Sequence, residues 1–352
     1  MLRDSKLIKI LRCPVTKGIL KYSIKKKTFF SNKNINYKVL DQVLIIFKKN
    51  NHNDKKIKRW WSDLYKQLYL GFDESLHKKK LLLNLKLFLD FIKKQKHLLY
   101  CEMLSEKLKN KNILEIGSGS GAHSALLLQK GANVISVDIS LNRSISTSRK
   151  LIILDQNHKK HLTINTNAEN LPIKDSSIDY VYSNGVLHHA NNTEKCIQEI
   201  YRVLKPGGKA ILMFYCKSSA EYWLNILPKA IITGAIFKKK RKSEWIGYVT
   251  EGKPKFDNQR NLITRVYSRK KLIELLKDFE ILKIRKHNFS FKDFCFPKLT
   301  QIRIFILNLI GRKAHPGGQI VYGRDEMIYT NLEMKLGKSF GFSRNLVIKK
   351  PS

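Results

Sequence analysis

Ile113-Leu114-Glu115-Ile116-Gly117-Ser118-Gly119-Ser120-Gly121 is the stretch on which the fold turns. Its aliphatic start reads as a buried strand, and its glycines open a helix from about Ala122. Glycine suits such a junction because the backbone must turn tightly and let a ligand lie against it without a Cβ in the way. Roughly twenty residues on, Val134-Ile135-Ser136-Val137-Asp138 reads as a second strand ending in an acid, where a carboxylate takes ribose hydroxyls. The two signals together specify a nucleoside-containing ligand, and leave open which one.

On the C-terminal side, strands read at 162–165, 178–182 and 209–214, with helical periodicity between them. This alternation is the signature of an α/β fold with a doubly wound, mostly parallel sheet. Helix and strand texture returns at 268–286, and 345–349 reads as a closing strand. On the N-terminal side, residues 1–50 form a small α+β unit: a short helix at 7–11, a turn at 13–18, and strands at 19–24, 28–30, 36–40 and 43–47. The polar stretch 48–58 reads as a linker, and 60–109 as helical. The expected organisation is an accessory unit over 1–50, a linker and helical lead-in over 51–110, and a main unit over 111–352. Helical insertions at about 217–265 and 288–340 are expected to act as lids.

Further motifs identify the ligand. Asn167-Ala168-Glu169-Asn170-Leu171-Pro172 precedes the strand that runs into Ser183-Asn184-Gly185-Val186-Leu187-His188-His189. A helix over 193–204 and the turn Lys205-Pro206-Gly207-Gly208 follow. In order and spacing, residues 112–215 resemble the class I S-adenosylmethionine (SAM)-dependent methyltransferases, especially the branch with the ubiquinone/menaquinone C-methyltransferases. The resemblance implies a seven-stranded sheet and SAM as cofactor. It implies that Glu115, Gly117, Ser118, Gly119 and Gly121 line the methionine part, that Asp138 holds the ribose with Ile139 beside it, and that Asn167, Ala168 and Glu169 border the adenine. Asn184 and Gly185 would flank the sulfonium. Many relatives carry Asp where Asn167 stands; an amide can still contact adenine.

A sulfonium methyl is already activated, so such an enzyme must mainly align donor and acceptor and exclude water. A base is needed only for weakly acidic acceptors, and His188 and His189 are the candidates, each equally readable as packing. No Asn/Asp-Pro-Pro-Tyr tetrad follows the fourth strand of the main unit, which speaks against nucleobase-amine and glutamine-amide methylation. No Pro-Cys nucleophile is present there either.

Residues 7–18, with Tyr37-Lys38-Val39-Leu40-Asp41-Gln42-Val43, resemble small zinc-ribbon-like proteins related to the activator subunit of eukaryotic tRNA and protein methyltransferases. Thr16 stands where many of those keep a second cysteine, and the five cysteines of the chain form no CxxC pair. No cysteine zinc site is expected, and the unit reads as a metal-free packing or docking element.

The chain carries 68 Lys+Arg against 28 Asp+Glu, a net charge of +40. Only 15 of the cations are arginine, the residue suited to bidentate phosphate recognition, and the lysines are spread over the whole length. Charge alone therefore fits RNA, an anionic membrane or a solvated surface. The basic, aromatic stretch 222–242 and the apolar run 302–310 fit either lids or interfacial helices on an anionic membrane. The chain shows no signal-peptide pattern and no apolar run of membrane-spanning length, so a cytoplasmic protein, with peripheral contact at the inner membrane face, is expected. The favoured expectation is methyl transfer to a small-molecule or lipid- or glycan-linked acceptor. A tRNA-modifying enzyme and a non-catalytic SAM-binding scaffold are the alternatives.

Overall fold

The computed structural model describes residues 5–33, 35–47, 52–238, 241–250, 261, 263–291, 294, 296 and 298–352. A 3-10 turn at Lys6–Ile10 leads into β1 (Lys21–Ser23), β2 (Thr28–Phe30), β3 (Asn36–Leu40) and β4 (Val43–Ile45). Helices α1 (His52–Leu68), α2 (Leu70–Glu74) and α3 (Lys78–Lys94) follow, then a π-helical turn at Leu99–Met103. The alternating part runs β5 (Asn112–Ile116), α4 (Ala122–Gln129), β6 (Asn133–Asp138), α5 (Leu141–Leu154), β7 (His161–Asn165), β8 (Ile178–Asn184), α6 (Thr193–Val203) and β9 (Leu204–Tyr215). After it come a π-helical turn at Glu221–Ile226, α7 (Leu227–Ile232), α8 (Ala235–Lys238), α9 (Lys242–Thr250), α10 (Arg269–Leu275) and β10 (Glu280–His287). The chain closes with α11 (Leu299–Leu309), α12 (Gln319–Tyr322), α13 (Asn331–Phe340) and β11 (Ser343–Lys349).

The sheet order is β1-β2-β3-β4-β7-β6-β5-β8-β9-β11-β10. Strands β7, β6, β5, β8 and β9 are parallel, and β11 enters antiparallel between β9 and β10. That is the expected seven-stranded α/β sheet, with the strand order reversing direction between β5 and β8. Such a reversal opens a crevice at the carboxyl ends of the strands.

The sheet is nevertheless longer than the sequence implies. β4 pairs parallel with β7, Val43 opposite Thr163, so the N-terminal strands extend the main sheet to eleven. Leu7, Leu11, Phe29, Leu44 and Ile46 share one continuous core with Leu114, Ile135, Leu162 and Ile164. The described residues of 5–47 thus cap a sheet edge whose backbone groups would otherwise stay unpaired.

The opposite face is covered by α3, α4 and α5, with Leu85, Phe88, Leu127 and Leu151 packed on Ile113, Val134 and Tyr182. Side chains alternate faces along each strand, so Leu114 and Ile116 lie in the first core and Ile113 in the second.

Two other readings need correction. The stretch taken as a linker is helical from His52, because Ile57, Trp60 and Tyr65 find buried positions against the sheet unit. The segment 205–208 is not a free turn. Gly207 donates its N–H to Lys350 O at 3.0 Å and Gly208 O accepts from Lys350 N at 2.9 Å, which draws the segment into β9.

Candidate functional site

A cleft of about 510 Å³ opens at the carboxyl ends of β5, β6 and β8. Its floor is the glycine turn. Gly117 and Gly121 both hold positive φ, at 78° and 82°. A Cβ on Gly117 would run into Val186, and one on Gly121 would lie 2.7 Å from Thr147 Cα, so neither position admits a side chain. Gly119 is different: an added Cβ would find no protein atom nearer than 3.7 Å, and this residue faces the cleft. Thr147 donates to Ser118 Oγ at 3.0 Å and ties the turn to α5.

Asp138 ends β6 on the cleft wall. Its carboxylate accepts from Gly119 N at 3.0 Å and from Ser140 N at 2.8 Å, so the acid at one strand end fixes the turn at the next. Burial raises its pKa, against the pull of Arg143 and these two amides. Ile139, Asn167, Ala168 and Glu169 line the same end. Glu169 accepts from Asn192 N at 3.0 Å. Asn184 and Gly185 stand at the middle of the cleft.

Three residues expected at the site lie elsewhere. Glu115 shares a face with Ile113, so its carboxylate points beneath α4, where it accepts from Ser124 Oγ and lies 3.3 Å from His123 Nδ1. Gly121 is packed against α5 and does not border the cleft. His188 is fully buried, packed at a tilt of 34° against Tyr215 with centroids 3.8 Å apart, and burial holds its pKa well below the usual range. His189 does reach the cleft. Its Nδ1 lies 3.0 Å from Asn261 Nδ2 and 3.1 Å from Thr264 Oγ1, and its ring meets Trp61 edge-on at 5.3 Å.

The cover of the cleft is mostly α1. Ile57, Trp61, Leu64 and Leu68 line it from above. Arg143 stacks on Trp61 at 4.6 Å and donates to its carbonyl at 3.3 Å. Beneath the cover, Lys150, fully buried, meets Asp73 at 2.5 Å, and Tyr65 donates to the other Asp73 oxygen at 2.7 Å. Of the two insertions expected to be lids, 288–340 contributes Asn288, Val321, Tyr322 and Tyr329 to the wall. The described residues of 217–265 contribute none; they form their own small core around Tyr222, Ile226, Trp245 and Ile246.

The end of the cleft beyond Asn184 was not visible in the sequence. His97, His123 and His287 converge there with Gln95, Tyr322 and Asn345. Leu99 N donates to His97 Nδ1 at 3.2 Å, and His97 Nε2 lies 3.3 Å from Asn184 Nδ2. Burial, reinforced by His123, holds His97 well below the usual histidine range, and burial holds His287 at about 4. These residues come from separate elements; only His123, two places after the last glycine of the turn, had a local signal. Histidines aside, the charged groups on the cleft wall among the described residues are Asp138, Arg143 and Glu169, all outside this end. Among the described residues no group of three or more His, Cys, Asp or Glu is placed to hold a metal.

Residues 114–212 match the methyltransferase-domain family. The chain is similar to the ubiquinone/menaquinone biosynthesis C-methyltransferase of Rickettsia bellii, 32% identical over 140 residues, covering 36% of this chain and 56% of that protein. It is also similar to the biotin biosynthesis bifunctional protein of Cellvibrio japonicus, 35% identical over 112 residues, covering 32% of this chain and 21% of that protein. The chain therefore spans between a fifth and just over half of these relatives. Among solved structures, a SAM-dependent methyltransferase from Methanosarcina mazei superposes with a TM-score of 0.46 at 19% identity, covering 71% of this chain and 97% of that one. A complex containing the Haloferax volcanii Trm112 methyltransferase activator superposes with a TM-score of 0.47 at 16% identity, over 87% of this chain and 100% of that one.

Proposed function

We propose that the chain is a SAM-dependent methyltransferase that transfers a methyl group to a small-molecule or lipid-linked acceptor. The observation that carries this reading is one cleft with two unlike ends. The glycine turn, Asp138 and 167–169 suit a nucleoside, and the far end is lined by rings and amides, with no Asp, Glu, Lys or Arg among the described residues there. SAM fits the first end, because Gly119 leaves open space there and a buried carboxylate borders it. When bound, SAM supplies a methyl activated by its sulfonium.

The residues of the chain do the rest. Asp138 takes the ribose hydroxyls, Asn167–Glu169 border the base, and Asn184 and Gly185 mark where donor and acceptor meet. The α1 cover excludes water, which strengthens every polar contact inside. His97 stands against Asn184 and borders the place where the acceptor lies. His189, held by Asn261 and Thr264, is the group placed to take a proton where the acceptor must lose one. A far end free of Asp, Glu, Lys and Arg among the described residues, in a chain of net charge +40, favours an acceptor whose reacting part is a neutral, ring-like group.

The N-terminal unit, read as zinc-ribbon-like without its metal, acts in this proposal as a built-in edge strand and packing element. Incubating the full chain with SAM labelled in its methyl group and a cell extract tests the function. Label in the organic-extractable fraction is expected. Label confined to tRNA, or none transferred at all, overturns the reading.

A further inference from the structure

Helix α11 has its faces the wrong way round for a helix of a water-exposed protein. A surface helix ordinarily turns apolar residues inward and charge outward. Here Arg303 points inward and donates two hydrogen bonds of 2.7 Å each to Glu333, whose side chain is 0% exposed. Glu333 also accepts from Ser290 Oγ at 2.9 Å and Phe291 N at 3.1 Å, so the inward attachment of α11 is polar and specific. Leu307 is its one buried side chain. Ile302, Phe305, Ile306 and Leu309 fall at i, i+3, i+4 and i+7 and are 49%, 62%, 51% and 69% exposed, with Ile310 at 64% just after.

Lone exposed apolar residues are unremarkable, but a contiguous stripe on one helix face marks a surface built to meet something. The ends of this helix say what. Lys298, before it, and Arg312 and Lys313, after it, are exposed cations, and no exposed acid interrupts the run from 298 to 313. An apolar face rimmed by cations is the pattern of a helix lying in the headgroup layer of an anionic bilayer. RNA would use the cations and leave the Phe, Ile and Leu side chains in water. No helix among the described residues is long and apolar enough to cross a membrane, so the contact is made in the plane of the surface.

We infer that α11 docks this protein on an anionic lipid surface, its Ile302–Phe305–Ile306–Leu309 face entering the headgroup layer and its flanking Lys and Arg meeting the lipid phosphates. The inference stands apart from the catalytic reading, because it needs neither SAM nor an acceptor. The same insertion supplies Val321, Tyr322 and Tyr329 to the cleft wall.

Sedimentation of the full chain with vesicles of phosphatidylcholine alone, or with added phosphatidylglycerol, tests the inference. Binding is expected only with phosphatidylglycerol. Phe305→Glu combined with Leu309→Glu should weaken it by about tenfold or more while the circular dichroism spectrum stays unchanged. A second variant, Ile306→Trp, reads insertion without adding charge; its emission should move to shorter wavelength on mixed vesicles. Absence of vesicle binding, binding that the double variant leaves intact, or unmoved Ile306→Trp emission would each overturn the inference. So would a concentration-dependent dimer, abolished by the double variant, in a chain that ignores vesicles; the face would then belong to a second copy.

Discussion

The two ends of the cleft are built by opposite strategies. The glycine-turn end, proposed for the nucleoside, comes from short contiguous motifs in which backbone and side chain are fixed together: Asp138 accepts from Gly119 N, and Thr147 holds Ser118. The far end is assembled from His97, His123, His287, Tyr322 and Asn345, which share no sequence neighbourhood. A universal cofactor can be held by a local, transferable device. An acceptor peculiar to one enzyme is held by whatever the insertions and outer strands bring together. The difference also governs charge: the acids and Arg143 stand at the first end, and burial keeps His97 and His287 of the second neutral.

Several substitutions would break or sharpen this contrast. The largest effect is expected where the cover is anchored. Asp73→Ala leaves the Lys150 ammonium buried without its partner, and should destabilise the chain by about 3–5 kcal/mol in urea titrations. A loss below 1 kcal/mol would mean that the cover is not fastened there. Acid should strike the far end next. His287 titrates at about 4 in the folded chain, against about 6.5 when unfolded. Between those values the unfolded chain binds more protons, so stability is full above about pH 6.5 and falls as pH drops towards 4. For His287 the loss reaches about 3 kcal/mol, and His287→Gln should remove that part of the pH dependence of the urea midpoint. A wild-type midpoint that is flat from pH 7 to 4.5 would contradict the burial argument.

Function should divide along the same line. Asp138→Ala should weaken SAM binding by about 1–3 kcal/mol, since a ribose hydroxyl pair loses its acceptor. His97→Phe should leave SAM affinity within about twofold, because its contacts lie at the acceptor end. At the histidine pair the two effects should separate. His189→Ala should lower kcat by about tenfold for a hydroxyl-type acceptor. His188→Ala should instead act on stability, because its ring packs against Tyr215. Equal kinetic effects from the two would return both to the chemistry.

The fold was largely legible because its strands are short aliphatic runs ending in glycine or acid, and parallel central strands buried on both faces read that way. The glycine turn and the strand-end acid were legible for the same reason. What stayed hidden has particular causes. Glu115 lies next to the glycine turn, but the period of two along β5 sends it beneath α4 with Ile113. His188 and His189 are adjacent on a 3-10 turn that points one into the core and the other into the cleft, and nothing in the residue types separates them. The first turns of α1 were masked by their lysines, although Ile57, Trp61, Leu64 and Leu68 carry helical spacing. Edge pairing of β4 with β7 depends on a contact over more than a hundred residues, and no local pattern encodes it.

Calorimetric titration of SAM into the full wild-type chain reaches the central claim most directly, since the nucleoside end either accepts this ligand or does not. One saturable site per chain is predicted, present without any acceptor. A chain folded by circular dichroism that takes up no SAM would contradict the account.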